Sequence, residues 1–435
     1  MSVAVRILRT TDTGFAAAFA RLRAAGAADA GRADRVARSI VEDVRRRGDR
    51  ALIEHTARFD GVRLSAASFA VRPEALRAAA AALSPTVRAA LRLAAQRIRS
   101  FHARQVQRSW RYRDATGLVL GQQITPLRRV GVYVPGGHAA YPSSVLMNII
   151  PARVAGVEEV IMVSPAGRSG HPPAVLAAAH IGGATAVLRV GGAQAVAALA
   201  YGTRTIAPVD KIVGPGNAFV QAAKRHVYGQ VDIDSTAGPS EVLVIADTSA
   251  PPAFVAADLL AQAEHGSGDE CALLFTPSRH LAAAVQVEIT RRLAVLPRRA
   301  AIAGVLKRHG ALVVVRDIDE AVELAEQVAP EHLELLVRRP ERLARRLRNA
   351  GAIFAGVFAP APLGDYVAGP NHVLPTGGSA RFFSPLGTYD FVKRTSVVSA
   401  GASALRRLAP AVETLAELEG YQAHAAAVRV RFEGR

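Results

Sequence analysis

The stretch Lys211-Ile212-Val213-Gly214-Pro215-Gly216-Asn217 decides the fold class, because a short strand enters a tight glycine turn. The apolar-rich residues 219–227 that follow have the spacing of a helix. Strand 186–190 likewise enters the turn Gly191-Gly192-Ala193-Gln194 and helix 195–201, and strand 129–134 enters Pro135-Gly136-Gly137. Repeated strand–glycine–helix units predict an α/β domain with a parallel sheet.

A second series of strands and helices follows and predicts a second α/β domain. We expect strands at 242–245, 272–275, 311–315, 333–337 and 352–354, and helices at 253–264, 281–293, 319–328 and 340–350. Residues from the start to about 115 have mostly helical spacing. A last helix is predicted at 413–424, followed by a short strand at 428–432.

The composition is that of a globular chain. It has 435 residues, half of them apolar and few aromatic, which suggests two or three domains. No apolar run is long enough to cross a bilayer, and the first residues lack the apolar core of a secretory signal. The single cysteine, Cys271, excludes an intrachain disulfide framework. We therefore expect a cytoplasmic protein with no membrane partner.

The net charge of +18 raises the question of nucleic-acid binding. Most of the excess is arginine spread along predicted helices, as in residues 88–108 and 338–348. No basic block is interleaved with aromatic residues, and no nucleic-acid module is recognisable. We expect no nucleic-acid partner, although the charge suits anionic substrates or cofactors.

The pair Glu331-His332 follows Pro330, which disfavours continuing helix 319–328. Both side chains therefore fall at the junction between this helix and strand 333–337. A carboxylate beside an imidazole at the end of an element can handle protons near neutral pH. Two surface residues at a helix end would have the same local sequence, so the pair alone leaves both interpretations open.

Six other polar residues stand out from a background rich in alanine and arginine: Gln262, His265, Asp365, His372, Glu419 and His424. The first two share one face near the end of a predicted helix, because they are three residues apart. Two imidazoles with a carboxylate and an amide oxygen could form a divalent-metal site. Polar helix ends and turn caps are the alternative interpretation.

The three glycine turns each follow a predicted strand, at the carboxyl end where open α/β sheets bind ligands. Backbone amides at the helix starts that follow favour anionic groups such as pyrophosphate. None of the turns is a complete Gly-x-Gly-x-x-Gly fingerprint, and ordinary glycine turns remain the alternative. Three in one domain favour a nucleotide-type ligand.

Seven motifs occur in order along the chain: Val130-Gly131-Val132-Tyr133-Val134-Pro135-Gly136-Gly137, Tyr141-Pro142-Ser143-Ser144-Val145-Leu146-Met147-Asn148, Ile212-Val213-Gly214-Pro215-Gly216-Asn217, Ala237-Gly238-Pro239-Ser240-Glu241-Val242, Gln262-Ala263-Glu264-His265, Ala329-Pro330-Glu331-His332 and Gly369-Pro370-Asn371-His372-Val373-Leu374-Pro375-Thr376. In these motifs the chain closely resembles the histidinol dehydrogenase family. The resemblance covers residues from about 120 to 425.

The resemblance implies an NAD-dependent, zinc-requiring enzyme of histidine biosynthesis that oxidises L-histidinol through L-histidinal to L-histidine. It makes Glu331 and His332 the proton acceptors. The implied ligands of one zinc ion (Zn2+) per subunit are Gln262, His265, Asp365 and His424, the last contributed by the partner subunit. The implied histidinol contacts are these four residues together with Ser240, His332, His372 and Glu419. The implied NAD contacts are Tyr133, Gln194 and Asn217.

For the fold, the resemblance implies α/β architecture with two Rossmann-like domains on parallel sheets, of an incomplete dinucleotide-binding type. It adds an N-terminal helical region and a small C-terminal dimerisation segment. The expected divisions are an arm at 1–25, a larger α/β domain of 26–128 plus 241–380, an NAD-binding α/β domain at 129–240, and a swapped segment at 381–435. The family forms an intertwined homodimer, so active sites shared across subunits are expected. The alternative function is a paralogous zinc- and NAD-dependent dehydrogenase of another small amino or polar alcohol.

Overall fold

A computed structural model describes residues 4–23, 30–136, 140–236, 238–265 and 268–433. The strands in this part of the chain are β1 (Arg6–Arg9), β2 (Trp110–Arg113), β3 (Val119–Pro126), β4 (Arg129–Tyr133), β5 (Glu159–Val163), β6 (Ala186–Leu188), β7 (Lys211–Val213), β8 (Asp232–Ile233), β9 (Glu241–Ala246), β10 (Cys271–Thr276), β11 (Gly310–Val314), β12 (His332–Leu336), β13 (Ala352–Ala355) and β14 (Val392–Ser399).

The α-helices are α1 (Phe15–Arg23), α2 (Ala30–Arg47), α3 (Asp49–Asp60), α4 (Pro73–Ala82), α5 (Pro85–Ala103), α6 (Pro142–Ala155), α7 (Pro173–Gly182), α8 (Gly192–Tyr201), α9 (Ala218–Val227), α10 (Pro252–Ala263), α11 (Arg279–Leu293), α12 (Arg299–His309), α13 (Ile318–Val328), α14 (Pro340–Ala344), α15 (Ala361–Tyr366), α16 (Ala402–Leu418) and α17 (Gln422–Arg429). Short 3-10 helices lie at Ala66–Ser68, Ser379–Arg381, Thr388–Phe391 and Val430–Phe432.

The two parallel sheets have the same strand order, except that β1 is added at one edge of the second sheet. The first runs β6-β5-β4-β7-β8, and the second runs β1-β11-β10-β9-β12-β13, with parallel pairing throughout. In each sheet the earliest strand of the α/β series, β4 or β9, lies centrally and the order reverses beside it. This is the switch-point topology of Rossmann-like sheets. The predicted fold class, two Rossmann-like α/β units with parallel sheets, is confirmed.

Both faces of the five-stranded sheet are buried by helices, as continuous apolar strands require. Along β4, Val130 and Val132 face a core shared with α5, α6 and α7, whereas Tyr133 faces a core shared with α2, α3 and α8. The early helices therefore cover the five-stranded sheet. Helices α2 to α5 pack against residues of 129–240, and the predicted division into 26–128 plus 241–380 and 129–240 stays a prediction.

Several parts of the chain differ from the sequence-based prediction. β1 precedes the helical region and joins the edge of the six-stranded sheet. β14 pairs antiparallel with β3, which pairs antiparallel with β2, in a separate three-stranded sheet. The strand predicted at 428–432 is wrong, because α17 continues to Arg429 and a 3-10 helix follows it.

The helix predicted at 413–424 is interrupted between α16 and α17. Gly420, at the break, has a left-handed backbone with φ 79°, which glycine adopts without steric cost. No helix in the described residues is long and apolar enough to cross a membrane.

Candidate active site

The Glu331-His332 pair lies where β12 begins, at the amino edge of the six-stranded sheet. Helix α13 ends at Ala329, whose backbone is left-handed with φ 49°. A non-glycine residue in this conformation costs roughly 1–2 kcal/mol, and Ala329 is the one example among the described residues. The strained residue and Pro330 turn the chain sharply, so that both polar side chains enter the protein together.

Glu331 is buried, and two donors converge on one of its oxygen atoms. Its Oε2 accepts a hydrogen bond from the Ser240 hydroxyl at 2.5 Å and from the Glu241 backbone N–H at 2.8 Å. Both donors stand at the start of β9, which pairs with β12 in parallel register. The strand pairing therefore brings Ser240 and Glu331 together across 91 residues of sequence.

His332 is held between two carboxylates and a backbone carbonyl. Its Nδ1 donates to the Glu241 carbonyl oxygen at 3.0 Å and lies 3.5 Å from Glu331 Oε2. Its Nε2 lies 3.5 Å from Asp365 Oδ1 and has no hydrogen-bond partner among the described residues. Burial disfavours the charged ring, but Glu331 and Asp365 outweigh it and raise the pKa of His332 to about 9.

Asp365, on α15, links His332 to His372. Burial works against its ionisation, but the ion-pair contact with His332 holds the pKa of Asp365 below its ordinary value. The backbone carbonyl of Asp365 accepts from His372 Nδ1 at 2.9 Å. Burial lowers the pKa of His372, which favours the neutral ring. Because Nδ1 donates to that carbonyl, Nε2 of a neutral ring would accept from the Ser144 hydroxyl at 3.2 Å.

Gln262 and His265 lie at the end of α10, as the spacing predicted. His265 Nδ1 donates to the Gln262 backbone carbonyl at 3.1 Å, which leaves its Nε2 as the potential metal ligand. The buried Gln262 amide has a terminal atom, assigned as Nε2, without a partner in the described part of the chain. Because amide nitrogen and oxygen are assigned rather than seen, that atom can equally be an oxygen that lacks a cation.

No group of three or more His, Cys, Asp or Glu side chains among the described residues is arranged to hold a metal ion. The predicted set contributes only two such side chains from one subunit, His265 and Asp365, together with the amide of Gln262. An imidazole and a carboxylate are usual zinc donors, an amide oxygen is an unusual one, and a fourth ligand would complete a tetrahedron. By chemical type, the residues present therefore match three of the four expected ligands.

Glu419 and His424 lie apart from these residues. Both are exposed on the C-terminal segment, where the His424 ring is 5.1 Å from the Tyr421 ring. In the described residues of this subunit, neither side chain has a hydrogen bond or ion pair to the site around Glu331. The single chain thus brings together Ser240, Glu331, His332, Asp365 and His372, but not the two C-terminal residues.

The three predicted cofactor contacts lie at the carboxyl edge of the five-stranded sheet. Tyr133 ends β4, and its hydroxyl accepts from the Gly192 N–H at 3.1 Å. Burial raises the pKa of Tyr133 to about 12. Gln194, in the first turn of α8, is buried with its Nε2 unpaired within the described chain. Asn217 caps α9 by accepting from the N–H groups of Phe219 and Val220, both at 3.1 Å.

Helix α6 joins these two clusters. It follows β4 and carries Ser144, which contacts His372. The neighbouring Asn371 side chain donates to the Met147 carbonyl at 2.7 Å. Helix α6 thus links the carboxyl edge of one sheet to residues near the amino edge of the other.

The sequence interpretation missed two acids beside the pair, the half-buried Glu241 and the buried Glu334. Glu241 joins Glu331 to His332 through its backbone, and burial and the charge of Glu331 raise the pKa of its own carboxyl group to about 8. Glu334, fully buried, accepts from the Ala361 N–H at 2.7 Å, at the start of the helix that carries Asp365. Burial and the charge of Asp258 raise the pKa of Glu334 well above its ordinary value.

The whole chain is similar to known histidinol dehydrogenases. A family profile described as histidinol dehydrogenase matches residues 24–432. The histidinol dehydrogenase of Ralstonia nicotianae is 51% identical over 440 aligned residues, covering 100% of this chain and 99% of that protein. That of Aquifex aeolicus is 53% identical, covering 91% of each. The crystal structure of histidinol dehydrogenase from Elizabethkingia anophelis aligns with a TM-score of 0.92 at 34% identity, over 99% of this chain and 98% of that one.

Proposed function

The chain belongs to the histidinol dehydrogenase family of NAD-dependent oxidoreductases, and we propose that it oxidises L-histidinol through L-histidinal to L-histidine. Two NAD and one water are consumed in these last steps of histidine biosynthesis. The observation that carries the proposal is the backbone of Glu241, whose N–H donates to Glu331 and whose C=O accepts from His332. This places a carboxylate beside an imidazole, and a two-step oxidation needs a proton acceptor for each step.

In the alcohol step, His332 takes the proton of the substrate hydroxyl at Nε2. The hydrogen bond from Nδ1 to the Glu241 carbonyl fixes the tautomer and leaves Nε2 directed toward Asp365. Nε2 is buried and has no hydrogen-bond partner within the described residues, so a bound ligand could supply that hydrogen bond. A substrate hydroxyl beside Asp365 would supply that partner.

In the aldehyde step, Glu331 takes a proton from the water that hydrates the aldehyde. Its Oε2 already accepts from Ser240 and Glu241, so the carboxylate orientation is set before any ligand binds. Ser240, His372 and Glu419 are proposed to bind the substrate, with Glu419 supplied from the C-terminal segment. Holding the aldehyde in a buried site between the two steps would protect it from side reactions.

We propose one zinc per subunit, held by Gln262, His265, Asp365 and His424 of the partner subunit. When bound, zinc would supply a positive charge beside Asp365 and a Lewis-acid contact for the nitrogen atoms of the substrate. The unpaired Gln262 amide atom supports this placement. With the Asp365 charge offset, one of the two carboxylates that favour the charged form of His332 would be neutralised, which would make the neutral base more accessible.

NAD is proposed to bind at Tyr133, Gln194 and Asn217. When bound, it would accept the hydride in each step. The buried, unpaired Gln194 amide and the start of α8 at the Tyr133 hydroxyl support this placement.

A homodimer with shared sites is proposed because the C-terminal segment displays apolar side chains. Leu415, Leu418, Tyr421 and Val430 are all exposed in the single chain. A row of large apolar side chains on one segment favours a covered interface. The same segment carries Glu419 and His424, so covering it with a second subunit would deliver both to the neighbouring site.

The alternative function, oxidation of another small amino or polar alcohol, shares the zinc and NAD chemistry. The contact between His372 and Ser144 and that between Ser240 and Glu331 support the histidinol assignment, because both proposed substrate residues face the candidate site. The histidinol dehydrogenase function is favoured by full-length relatives at about 50% identity.

The proposed reaction is tested by supplying L-histidinol and NAD to the purified enzyme. We expect about two NADH for each histidine formed, because two hydrides leave each substrate molecule. NADH is measured by absorbance and histidine by chromatography, with other small amino alcohols as comparison substrates. No NADH from zinc-loaded enzyme would overturn the assignment, and faster turnover of another alcohol would favour the alternative.

Removing the metal is expected to abolish turnover. Dialysis against a chelator should leave a folded, inactive protein, and added zinc should restore activity at about one ion per subunit. Asp365→Asn should lower the bound zinc measured by elemental analysis, because it removes the one carboxylate of the proposed set. Full activity in protein shown to be free of metal would remove zinc from the proposal.

Mixing two inactive variants tests the shared site. His332→Asn and His424→Ala homodimers should each be inactive, whereas their heterodimer keeps one site with intact His332 and an intact His424 from its neighbour. An equal mixture, dissociated and reassembled, should recover about a quarter of wild-type activity, since half of the dimers are mixed and each has one working site. Different affinity tags verify the heterodimer. Inactivity of verified heterodimers would contradict sharing through His424.

A further inference from the structure

We infer that Lys224 and Asp234 form a positioning pair for NAD, an inference that rests on the proposed placement of the cofactor at Tyr133 and Asn217. Lys224, on α9, is only 1% exposed, and Asp234 follows β8 with its side chain 6% exposed. The Lys224 ammonium group donates to Asp234 Oδ1 in a buried ion pair. Removing two charges from water is costly, so such a pair needs further hydrogen bonds to be held.

Those further hydrogen bonds all go to backbone groups, and two of them hold Gly214 from both sides. Lys224 Nζ donates to the Gly214 carbonyl oxygen at 3.1 Å. Asp234 Oδ2 accepts from the Gly214 N–H at 2.7 Å. Asp234 Oδ1 also accepts from the Ser235 N–H at 2.7 Å. The charged pair therefore fixes the N–H and the C=O of Gly214.

Gly214 is the first residue of the turn that ends at Asn217, and its backbone is closely packed. Its φ is 112°, and a Cβ there would lie 2.1 Å from the Tyr133 carbonyl oxygen. The Gly214 backbone thus packs directly on Tyr133 and leads, three residues later, to the cap of α9. A displacement of Gly214 would move the two proposed NAD contacts relative to each other.

A neighbouring ion pair supplies a matched control. Lys211 Nζ lies 2.8 Å from Asp232 Oδ2, and these residues start β7 and β8. This pair joins β7 to β8 at their amino ends, away from the glycine turn. Lys224 and Asp234 instead join α9 to the segment after β8, and both contact Gly214.

The inference predicts a defect in NAD binding rather than in chemistry. Lys224→Met should raise the KM for NAD and the Kd for NADH by about tenfold or more, with the KM for histidinol changed by less than about twofold. Asp232→Asn should leave the NAD constants close to wild type. In the double variant Lys224→Met with Asp234→Asn, no buried charge is left unpaired, so the thermal midpoint should recover toward that of the wild type. The NAD affinity of this double variant should stay low, because the Gly214 carbonyl still lacks its hydrogen-bond donor.

The readouts are NADH fluorescence titration, steady-state kinetics and thermal unfolding of the zinc-loaded dimer. If Lys224→Met does not fold, the double variant decides the question. NAD constants within about twofold of wild type in a folded variant would overturn the inference, as would recovery of both stability and NAD affinity in the double variant. Equal increases in both KM values would also overturn it. Wild-type enzyme that binds NADH but does not oxidise histidinol would contradict the proposed function alone.

Discussion

Replacing His332 with asparagine is expected to lower kcat for histidinol oxidation by about 10²- to 10⁴-fold, the usual contribution of a general base. Asparagine retains an amide N–H that can donate to the Glu241 carbonyl, as His332 Nδ1 does now. It has no basic nitrogen at the position of Nε2, which lies 3.5 Å from Asp365 Oδ1. The variant should therefore stay folded and lose the proton acceptor of the alcohol step.

The measurement is steady-state NADH production from histidinol, together with zinc content and the Kd for NADH. Zinc content and NADH binding should remain close to wild type, which separates a lost base from a lost site. His280→Asn, an exposed histidine on α11, is the matched control and should retain full activity. Activity of His332→Asn within about tenfold of wild type would refute the role of His332 as base.

The two sheets could be predicted from sequence because most of their strands are short apolar runs separated by helices, with glycine turns after strands of the five-stranded sheet. β7 is bounded as expected at Lys211–Val213, and the helix after Asn217 begins at Ala218. β1 and β14 escaped prediction because each is an exposed or half-exposed strand at a sheet edge or in a small sheet. Such strands are fixed by their pairing partners, which local sequence does not reveal.

The candidate site could be predicted only partly from local sequence, because the pairing of distant strands brings its residues together. Glu331 and Ser240 meet because β9 and β12 begin at the same level of the sheet. Nothing near Glu331 in sequence indicates Ser240 as its partner, and the assignment came from resemblance across distant motifs. The placement at an amino edge also runs against the rule that open α/β sheets bind ligands at carboxyl ends.

The alternation of polar and apolar residues along β12 does indicate Glu334 as a site residue. In β12 the polar residues His332 and Glu334 alternate with Leu333 and Leu335, which pack in the core on the opposite face. In a strand buried on both faces, a glutamate at such a position is unusual and indicates a polar site. The sequence around Glu241 does not indicate its role, because its backbone N–H and C=O make the contacts to Glu331 and His332.

Glu331→Gln is expected to slow oxidation of supplied L-histidinal by about 10²- to 10⁴-fold, while the alcohol step is impaired much less. Glutamine has the same shape, and its amide oxygen can still accept from Ser240 or from the Glu241 N–H, which now converge on Glu331 Oε2. It does not accept a proton from water. The aldehyde formed from histidinol should then accumulate, and the yield should fall from about two NADH per histidinol consumed toward one.

Single-turnover experiments that start separately from histidinol and from histidinal measure the two steps. Glu323→Gln, an exposed glutamate on α13, is the matched control and should leave both rates unchanged. His332→Asn should show the opposite bias, with the alcohol step lost first, because its imidazole rather than the Glu331 carboxylate faces Asp365. Equal loss of both steps in Glu331→Gln would contradict a division of labour. Both side chains are hydrogen-bonded to the backbone of Glu241. Loss of the alcohol step in one variant and of the aldehyde step in the other would show that these adjacent residues act on different protons.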